Sequence, residues 1–596
     1  MLYLSALFLA STFLSHHVVV GLPADVTAAS FYVPALPDLH QDPQRPLHLY
    51  AGHILSDPDQ DREVQSHLYF VLVKNRRTAD KNRVLFWFNG GPGCSSFDGL
   101  MMENGPWRTD GNGGIKLVDG GWEEYTTVVY IDQPAGTGYS YTADGHYIHT
   151  LEEASAQLLV FLKNFYDVFP EYKAMETYLA GESYAGQYIP YFADAILNSD
   201  LGIPLNGIAI GNGWIDARNQ YPAYFKYLAA QGILSEGTAE YDKAKETSDQ
   251  CSRKYLEDFE KGNSSEPTSI STCERTLMDI AAVRRKKVKG QEVCMNIYDV
   301  RLDDTYPDCG MNWPPDVQPI NTYLNRPEVI TAFHASSHTT PWTECSNAVG
   351  RQFYMKQHNS SVTLMPSLLE RIPVLLFAGD QDYICNYVGQ EDMIAALSWN
   401  SGTGFGDAEP LAWSVNGEAA GTWTAARNLT YVRVYNASHM VPYDLPHVAH
   451  DMISRFMGVD FAAITAGSAR IPSSVGPDAK PHFATPEEAE LEAEPGGKPG
   501  KTEEQHTAME EAYFNAGSSV LVLVVVFAVI GAVMWVRYWR RARAQPVERA
   551  DEEESIPLNT REQEPDSADK VKGRRSLSPA APVFELGSDD ETYHNR

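Results

Sequence analysis

Three side chains that together suit acyl transfer, Ser183, Asp382 and His439, each lie just past an apolar, strand-like run. A serine hydroxyl is a poor nucleophile at its own pKa. It needs a base to take its proton, and the base needs an acid to fix its tautomer and stabilise the imidazolium. Gly181-Glu182-Ser183-Tyr184-Ala185-Gly186 follows the run 177–180 and precedes a helix-like segment, 187–198. That is the strand, tight turn, helix setting of a nucleophile elbow, which pushes a serine out within reach of base and substrate. Asp382 follows the run 373–377, with Asp380 as a competing acid, and His439 follows the run 429–435. The order Ser, Asp, His is that of α/β-hydrolases. Singly, the serine could mark a turn, the aspartate a cap and the histidine a loop. Three strand ends in one permitted order argue for the shared site.

Such residues meet only if a sheet brings the strand ends to one edge. The runs 67–73, 83–88 and 126–131 read as strands, and 151–169 has helical spacing with Leu158, Leu159, Leu162 and Phe165 on one face. Strand-like 177–180, the helix after Ser183 and strand-like 206–210 continue the alternation. This predicts an α/β fold of the α/β-hydrolase type, with a mixed, mostly parallel sheet covered on both faces and the site at the carboxyl ends of its strands. The rhythm stops at 220–345, a polar region with five of the seven cysteines and the basic run Arg284-Arg285-Lys286-Lys287. We read it as a largely helical, disulfide-linked cap inserted between core parts 22–219 and 346–465. The basic run reads as a solvated face in preference to a cleavage site.

The ends carry targeting signals. Residues 1–21 read as a signal peptide, although it lacks a basic residue beyond the amino terminus. Residues 516–536 are uncharged and Val-rich, long enough to cross ~30 Å of hydrocarbon as a single transmembrane helix. Arg537, Arg540, Arg541 and Arg543 follow this segment and acids precede it, which predicts a single-pass type I protein with its body in the lumen. Between body and span, 466–515 reads as an acidic disordered stalk, and 537–596 reads as a disordered cytoplasmic tail. The sequons at Asn263, Asn359, Asn428 and Asn436 fall on the luminal side as glycosylation candidates. Seven cysteines in an oxidising compartment imply three disulfides and one odd thiol. The net charge of −31 argues against nucleic acid as a partner and mildly favours cationic substrates, or simply keeps the body dispersed. The chemistry calls for no metal or cofactor, and sequence leaves the oligomeric state open.

Residues 87–96 (Trp-Phe-Asn-Gly-Gly-Pro-Gly-Cys-Ser-Ser), the elbow 181–186, residues 379–386 (Gly-Asp-Gln-Asp-Tyr-Ile-Cys-Asn) and His439-Met440-Val441-Pro442 together resemble the serine carboxypeptidases over roughly 47–457. The stalk, span and acidic tail place the resemblance nearest the fungal Kex-type branch of that family. The resemblance implies a triad of Ser183, Asp382 and His439, and an oxyanion hole from the backbone N–H groups of Gly91 and Tyr184. It further implies a site for the substrate's terminal carboxylate at Asn89, Glu182 and the amide of Gly90, with Glu103 paired to Glu182. A carboxylate repels another carboxylate, whereas a protonated carboxyl donates to it, and two close carboxyls raise each other's proton affinity. The expected activity is therefore strongest at mildly acidic pH. The resemblance also implies a Cys94–Cys345 disulfide and a free Cys385. Cys251, Cys273, Cys294 and Cys309 remain with three possible pairings. The implied function is removal of carboxyl-terminal Lys and Arg from peptides and precursors in a late Golgi (trans-Golgi network) membrane. A broad-specificity carboxypeptidase, an acyltransferase or esterase on the same scaffold, and a catalytically silent partner-binding glycoprotein are the alternatives.

Overall fold

The computed structural model describes residues 26–41, 46–59, 61–78, 80–143, 146–260, 267–337, 340–353 and 359–481. Its main sheet has thirteen strands. In chain order they are β1 (Tyr32–Val33), β2 (Leu49–Leu55), β3 (His67–Val73), β4 (Arg83–Phe88), β5 (Thr127–Asp132), β6 (Glu176–Glu182) and β7 (Leu205–Gly211), followed by β8 (Val374–Gly379), β9 (Leu411–Val415), β10 (Glu418–Ala426), β11 (Leu429–Val434), β12 (Ser473–Val475) and β13 (Asp478–Ala479). Across the sheet the order is β1-β2-β3-β5-β4-β6-β7-β8-β11-β10-β9-β12-β13. The six central strands, from β5 across to β11, run parallel and the flanks antiparallel. Every residue of β4, β5 and β8 is buried, as expected where helices cover both faces of a parallel sheet.

The helices that hold the site form for local reasons. Helix α1 (Leu151–Val168) starts at a capping box, in which the Thr150 hydroxyl accepts from Glu153 N (3.1 Å) while the Glu153 carboxylate accepts from Thr150 N (3.3 Å). Its Phe165 ring lies 5.7 Å from those of Phe70 and Phe86, so the predicted apolar face is the one that covers the sheet. Helix α2 (Ala185–Leu197) carries Pro190 in its interior. Pro190 has no N–H to give the Gly186 carbonyl, and the Ser361 hydroxyl donates there instead at 2.6 Å.

Helix α3 (Ala217–Ala230) runs unbroken across the expected core–cap boundary at 219/220, with Tyr224 and Tyr227 packed on Tyr383. The region beyond contains α4 (Ala239–Glu260) and shorter helices, but it is not simply helical. Lys286–Val288, Gln291–Met295 and Asp303–Thr305 form a three-stranded antiparallel sheet. The basic run thus leads into a hairpin, and Arg284 to Val288 are all exposed. A tight turn at Lys289 and Gly290, both at positive φ, closes it.

The expectation of an unstructured stalk from Ala466 is also corrected. Residues 466–481 fold onto the body: β12 pairs with β9, and Lys480 Nζ is buried 2.5 Å from Asp451 Oδ1. Asp451 also accepts from Trp413 Nε1, Ser473 Oγ and Arg455 Nε. Composition there resembles the acidic segment that follows, yet one buried ion pair and two short strands hold it.

Among the described residues no helix is long and apolar enough to cross a membrane. The expected signal peptide (1–21), the candidate span (516–536) and the cytoplasmic tail lie outside the described residues, as does the expected stalk from residue 482 onward.

Candidate active site

Strand β6 ends at Glu182 and helix α2 begins at Ala185, so Ser183 and Tyr184 alone make the turn. Ser183 has φ +61°, a left-handed conformation uncommon for a non-glycine residue. The turn is held by backbone bonds from Ser183 N to Gly211 O (3.1 Å) and from Trp214 N to Ser183 O (2.9 Å). This is the strained elbow expected from the sequence, and it leaves Ser183 partly exposed between buried neighbours.

The Gly-rich loop after β4 packs directly on that turn. A Cβ on Gly90 would stand 2.5 Å from Tyr184 N and 2.9 Å from Ser183 Cβ, so only glycine permits the approach. Gly91 has φ +108°, and a Cβ there would meet the amides of Gly93 and Cys94 at 2.7 Å. A disulfide between Cys94 and Cys345 ties the loop down, as expected. The other pairs, open from sequence, are Cys251–Cys273 and Cys294–Cys309, and Cys385 is a buried free thiol.

Asp382 and His439 meet. The distance from His439 Nδ1 to Asp382 Oδ2 is 2.8 Å, and both residues are buried. Asp382 Oδ2 accepts also from Asn212 Nδ2 (2.7 Å) and Cys385 N (3.2 Å), and Oδ1 accepts from Ile384 N (3.0 Å). The competing acid is turned elsewhere: Asp380 Oδ1 accepts from Asn436 N and Gln381 Nε2. His439 N donates to Tyr298 O at 3.0 Å, and the Tyr298 ring lies 5.2 Å from the imidazole. An imidazole whose Nδ1–H is held by a carboxylate presents Nε2 as a base.

The carboxyl residues also converge. Asn89 Nδ2 donates to Glu103 Oε1 and to Glu182 Oε1, each at 3.1 Å. Asn89 is itself oriented through Oδ1, which accepts from Trp87 Nε1 (2.6 Å) and Gly99 N (3.0 Å). Glu103 Oε2 is buried with no donor. Burial raises the proton affinity of both carboxyls, and the Glu103 charge adds to it in driving Glu182 well above the usual carboxylate range. Beside a partly exposed serine, a carboxyl that keeps its proton can donate to an incoming carboxylate.

Sequence reading missed Asn212 and Tyr298. Asn212 lies in a turn directly after β7, and its side chain ties Asp382 to Gly379 N. No local motif marks it, although its place past a parallel strand was a usable signal. Tyr298 belongs to the insertion, where periodicity offered nothing. Of the sequons, Asn359, Asn428 and Asn436 are exposed, with Asn428 Nδ2 donating to Leu369 O (2.9 Å), while Asn263 lies outside the described residues.

Residues 37–458 match the serine carboxypeptidase family. A pheromone-processing carboxypeptidase KEX1 of Coprinopsis cinerea is 50% identical over 599 residues, covering 96% of this chain and 94% of its own. A protein of the same name from Cryptococcus gattii is 41% identical, covering 92% and 86%. The crystal structure of Kex1Δp, a prohormone-processing carboxypeptidase from Saccharomyces cerevisiae, is similar with a TM-score of 0.68 at 32% identity, covering 72% of this chain and 96% of that one. The elbow, the His439–Asp382 contact and the Glu103–Asn89–Glu182 cluster thus sit in a chain that belongs to the serine carboxypeptidase family and is a peptide hydrolase.

Proposed function

We propose that Ser183 is the nucleophile, His439 the base and Asp382 the acid that orients it. Ser183 Oγ attacks the last peptide carbonyl of the substrate as its proton passes to His439. The backbone N–H groups of Gly91 and Tyr184 stabilise the oxyanion, each such donor being worth ~3 kcal/mol in the transition state. Collapse breaks the C–N bond, His439 returns the proton to the amine, and the terminal amino acid leaves. Water then hydrolyses the Ser183 ester by the same proton route and frees the shortened peptide.

Asn89, the Gly90 amide and the Glu182–Glu103 pair hold the terminal carboxylate. The observation that carries this reading is the shared Asn89 donor between two buried carboxyls next to the elbow. An esterase has no use for it, whereas an exopeptidase must recognise a free chain end. The relatives named for pheromone or prohormone processing support substrates that end in Lys or Arg after cleavage at basic pairs. With the candidate signal and span, this supports a single-pass luminal enzyme of the late Golgi.

The test is mass spectrometry of peptides incubated with the purified full chain. One residue at a time should leave from the carboxyl end, Lys and Arg fastest, with amidated peptides resistant and Ser183→Ala silent. Equal cleavage of amidated and free-acid peptides would refute the carboxylate site.

A further inference from the structure

A short stretch of the insertion, Asn296–Arg301, lies against both loops that carry the proposed acid and base. Ile297 O accepts from Tyr383 N (3.2 Å) and Ile384 N (3.0 Å), and Val300 N donates to Gln381 O (3.0 Å), so the backbone on either side of Asp382 is pinned. Tyr298 O accepts from His439 N at 3.0 Å. The stretch holds its own shape through the buried Asn296, whose Oδ1 accepts from Tyr298 N (2.8 Å) and Asp299 N (3.3 Å). Asn296 N donates to Leu302 O (3.0 Å), and Ile297 N donates to the carbonyl of the disulfide-bonded Cys309 (2.9 Å).

Arg301 extends this grip on the histidine loop. Its Nε and Nη2 form a fork on the buried Asp299 carboxylate (2.8 and 2.7 Å), and Nη1 donates to Asn436 O at 2.8 Å. Nη2 also lies 3.4 Å from Asp444 Oδ2, which accepts from Ser438 N at 2.5 Å. Two charge-assisted bonds from one guanidinium fix its plane, and so the direction of the donor it turns to Asn436. With 40% of its side chain exposed, Arg301 adds little to stability through these ion pairs. Direction is what it supplies. Other parts of the insertion bond elsewhere on the body, as where Tyr69 OH donates to Phe333 O and Tyr139 OH to Leu324 O. The body partners of 296–301 are Gln381, Tyr383, Ile384, Asn436, His439 and Asp444, close in sequence to Asp382 or His439.

Resting on the triad reading above, we propose that the insertion positions the acid and the base. Asn296–Arg301 splints the Asp382 and His439 loops together, with Asp299 and Arg301 as positioning residues that hold the aim of the imidazole. A displacement of ~1 Å at a reacting group costs up to ~100-fold in rate. The proposed chain-end site stands on other elements, with Asn89 just past β4, Glu103 in the π-helical turn 99–103 and Glu182 at the end of β6. Loss of the splint should therefore reach kcat and spare KM.

The experiment uses the full chain with a free-acid peptide and, separately, with a fluorophosphonate that labels an activated serine and carries no terminal carboxylate. Arg301→Ala should lower kcat about tenfold, leave KM within about twofold and slow labelling of Ser183 by the same factor as kcat. Arg301→Lys keeps the charge without the fork and should cost only about threefold in both rates. Asp299→Asn should match Arg301→Ala, and the double variant should be no slower than either, because the two residues act through one contact. Lys286→Ala removes an exposed ion pair with Asp303 in the same insertion and should leave both rates at their wild-type values. An Arg301→Ala chain with a lowered Tm but wild-type kcat and labelling, or one impaired in KM alone, would overturn the assignment. If that variant does not fold, Arg301→Lys and Asp299→Asn decide the matter by the same split. A wild-type chain that resists the fluorophosphonate, or labelling that survives Ser183→Ala, would overturn the triad reading itself and the splint with it.

Discussion

The acid beside His439 and the acids beside Asn89 are equally buried and differ in what donates to them. Asp382 accepts from Asn212, Cys385 N, Ile384 N and His439. Glu103 and Glu182 share a single Asn89 amide, and Glu103 Oε2 has no donor. Donors stabilise the charged form, whereas burial without donors favours the neutral one. The fold therefore aims four donors at the acid that orients the imidazole and leaves the carboxyl pair short of them, which favours a proton on that pair.

The most severe way to break the comparison is to remove the group both halves serve. Ser183→Ala should lower kcat by about 10⁶, as when a triad nucleophile is deleted, while peptide binding at pH 5 measured by titration calorimetry persists. Loss of binding as well would mean that the elbow, not the carboxyl pair, holds the substrate. Asp382→Asn should cost about 10⁴ in kcat with little change in KM, because the wrong imidazole tautomer is then favoured.

The carboxyl half should answer to pH instead. Glu182 has its pKa raised in the folded chain, so its donor is present at acid pH and is lost as pH rises through the folded value. Wild-type KM for free-acid peptides should climb by up to about tenfold per pH unit beyond that point. Glu182→Gln keeps an N–H donor at every pH and should flatten the profile. The same shift predicts a stability effect, since above about pH 4.5 the unfolded chain releases a proton that the folded chain retains. Folding therefore weakens as pH rises toward the folded value, and the gain in Tm of Glu182→Gln over wild type should grow between about pH 5 and pH 8. A gain that shrinks over that range would contradict a neutral Glu182.

The smallest effect sharpens the other half. Asp380→Asn, two residues from Asp382, should change kcat by no more than a few-fold and cost about 1 kcal/mol of stability by denaturant melting, since the carboxylate accepts from Asn436 N and Gln381 Nε2 and not from His439.

Much of this is legible in the chain. Parallel strands buried on both faces are continuous apolar runs, so β3 to β8 can be read directly, and Thr150 with Glu153 marks the start of α1 in a few adjacent residues. In the antiparallel ribbon β9–β10 the turn Asn416-Gly417, both at positive φ, is a hairpin signal, but Leu411–Ala426 alternates too weakly to read as paired strands. The small sheet at 286–305 escapes it because its strands are short and charged, with exposed ion pairs such as Lys286–Asp303 between its outer strands in place of an apolar alternation. The ordering of 466–481 depends on Lys480 finding Asp451, a contact invisible to local composition.

By itself the sequence determined the chemistry available: a serine between flexible glycines, an acid and a histidine at later strand ends, and an acid next to the serine. These are local matters of residue type and backbone freedom. Only the tertiary structure decided which acid faces His439, which of the four insertion cysteines pair, and that Glu103 and Glu182 share the Asn89 amide. Ionisation and pairing depend on the neighbours that folding brings, and those neighbours come from distant parts of the sequence.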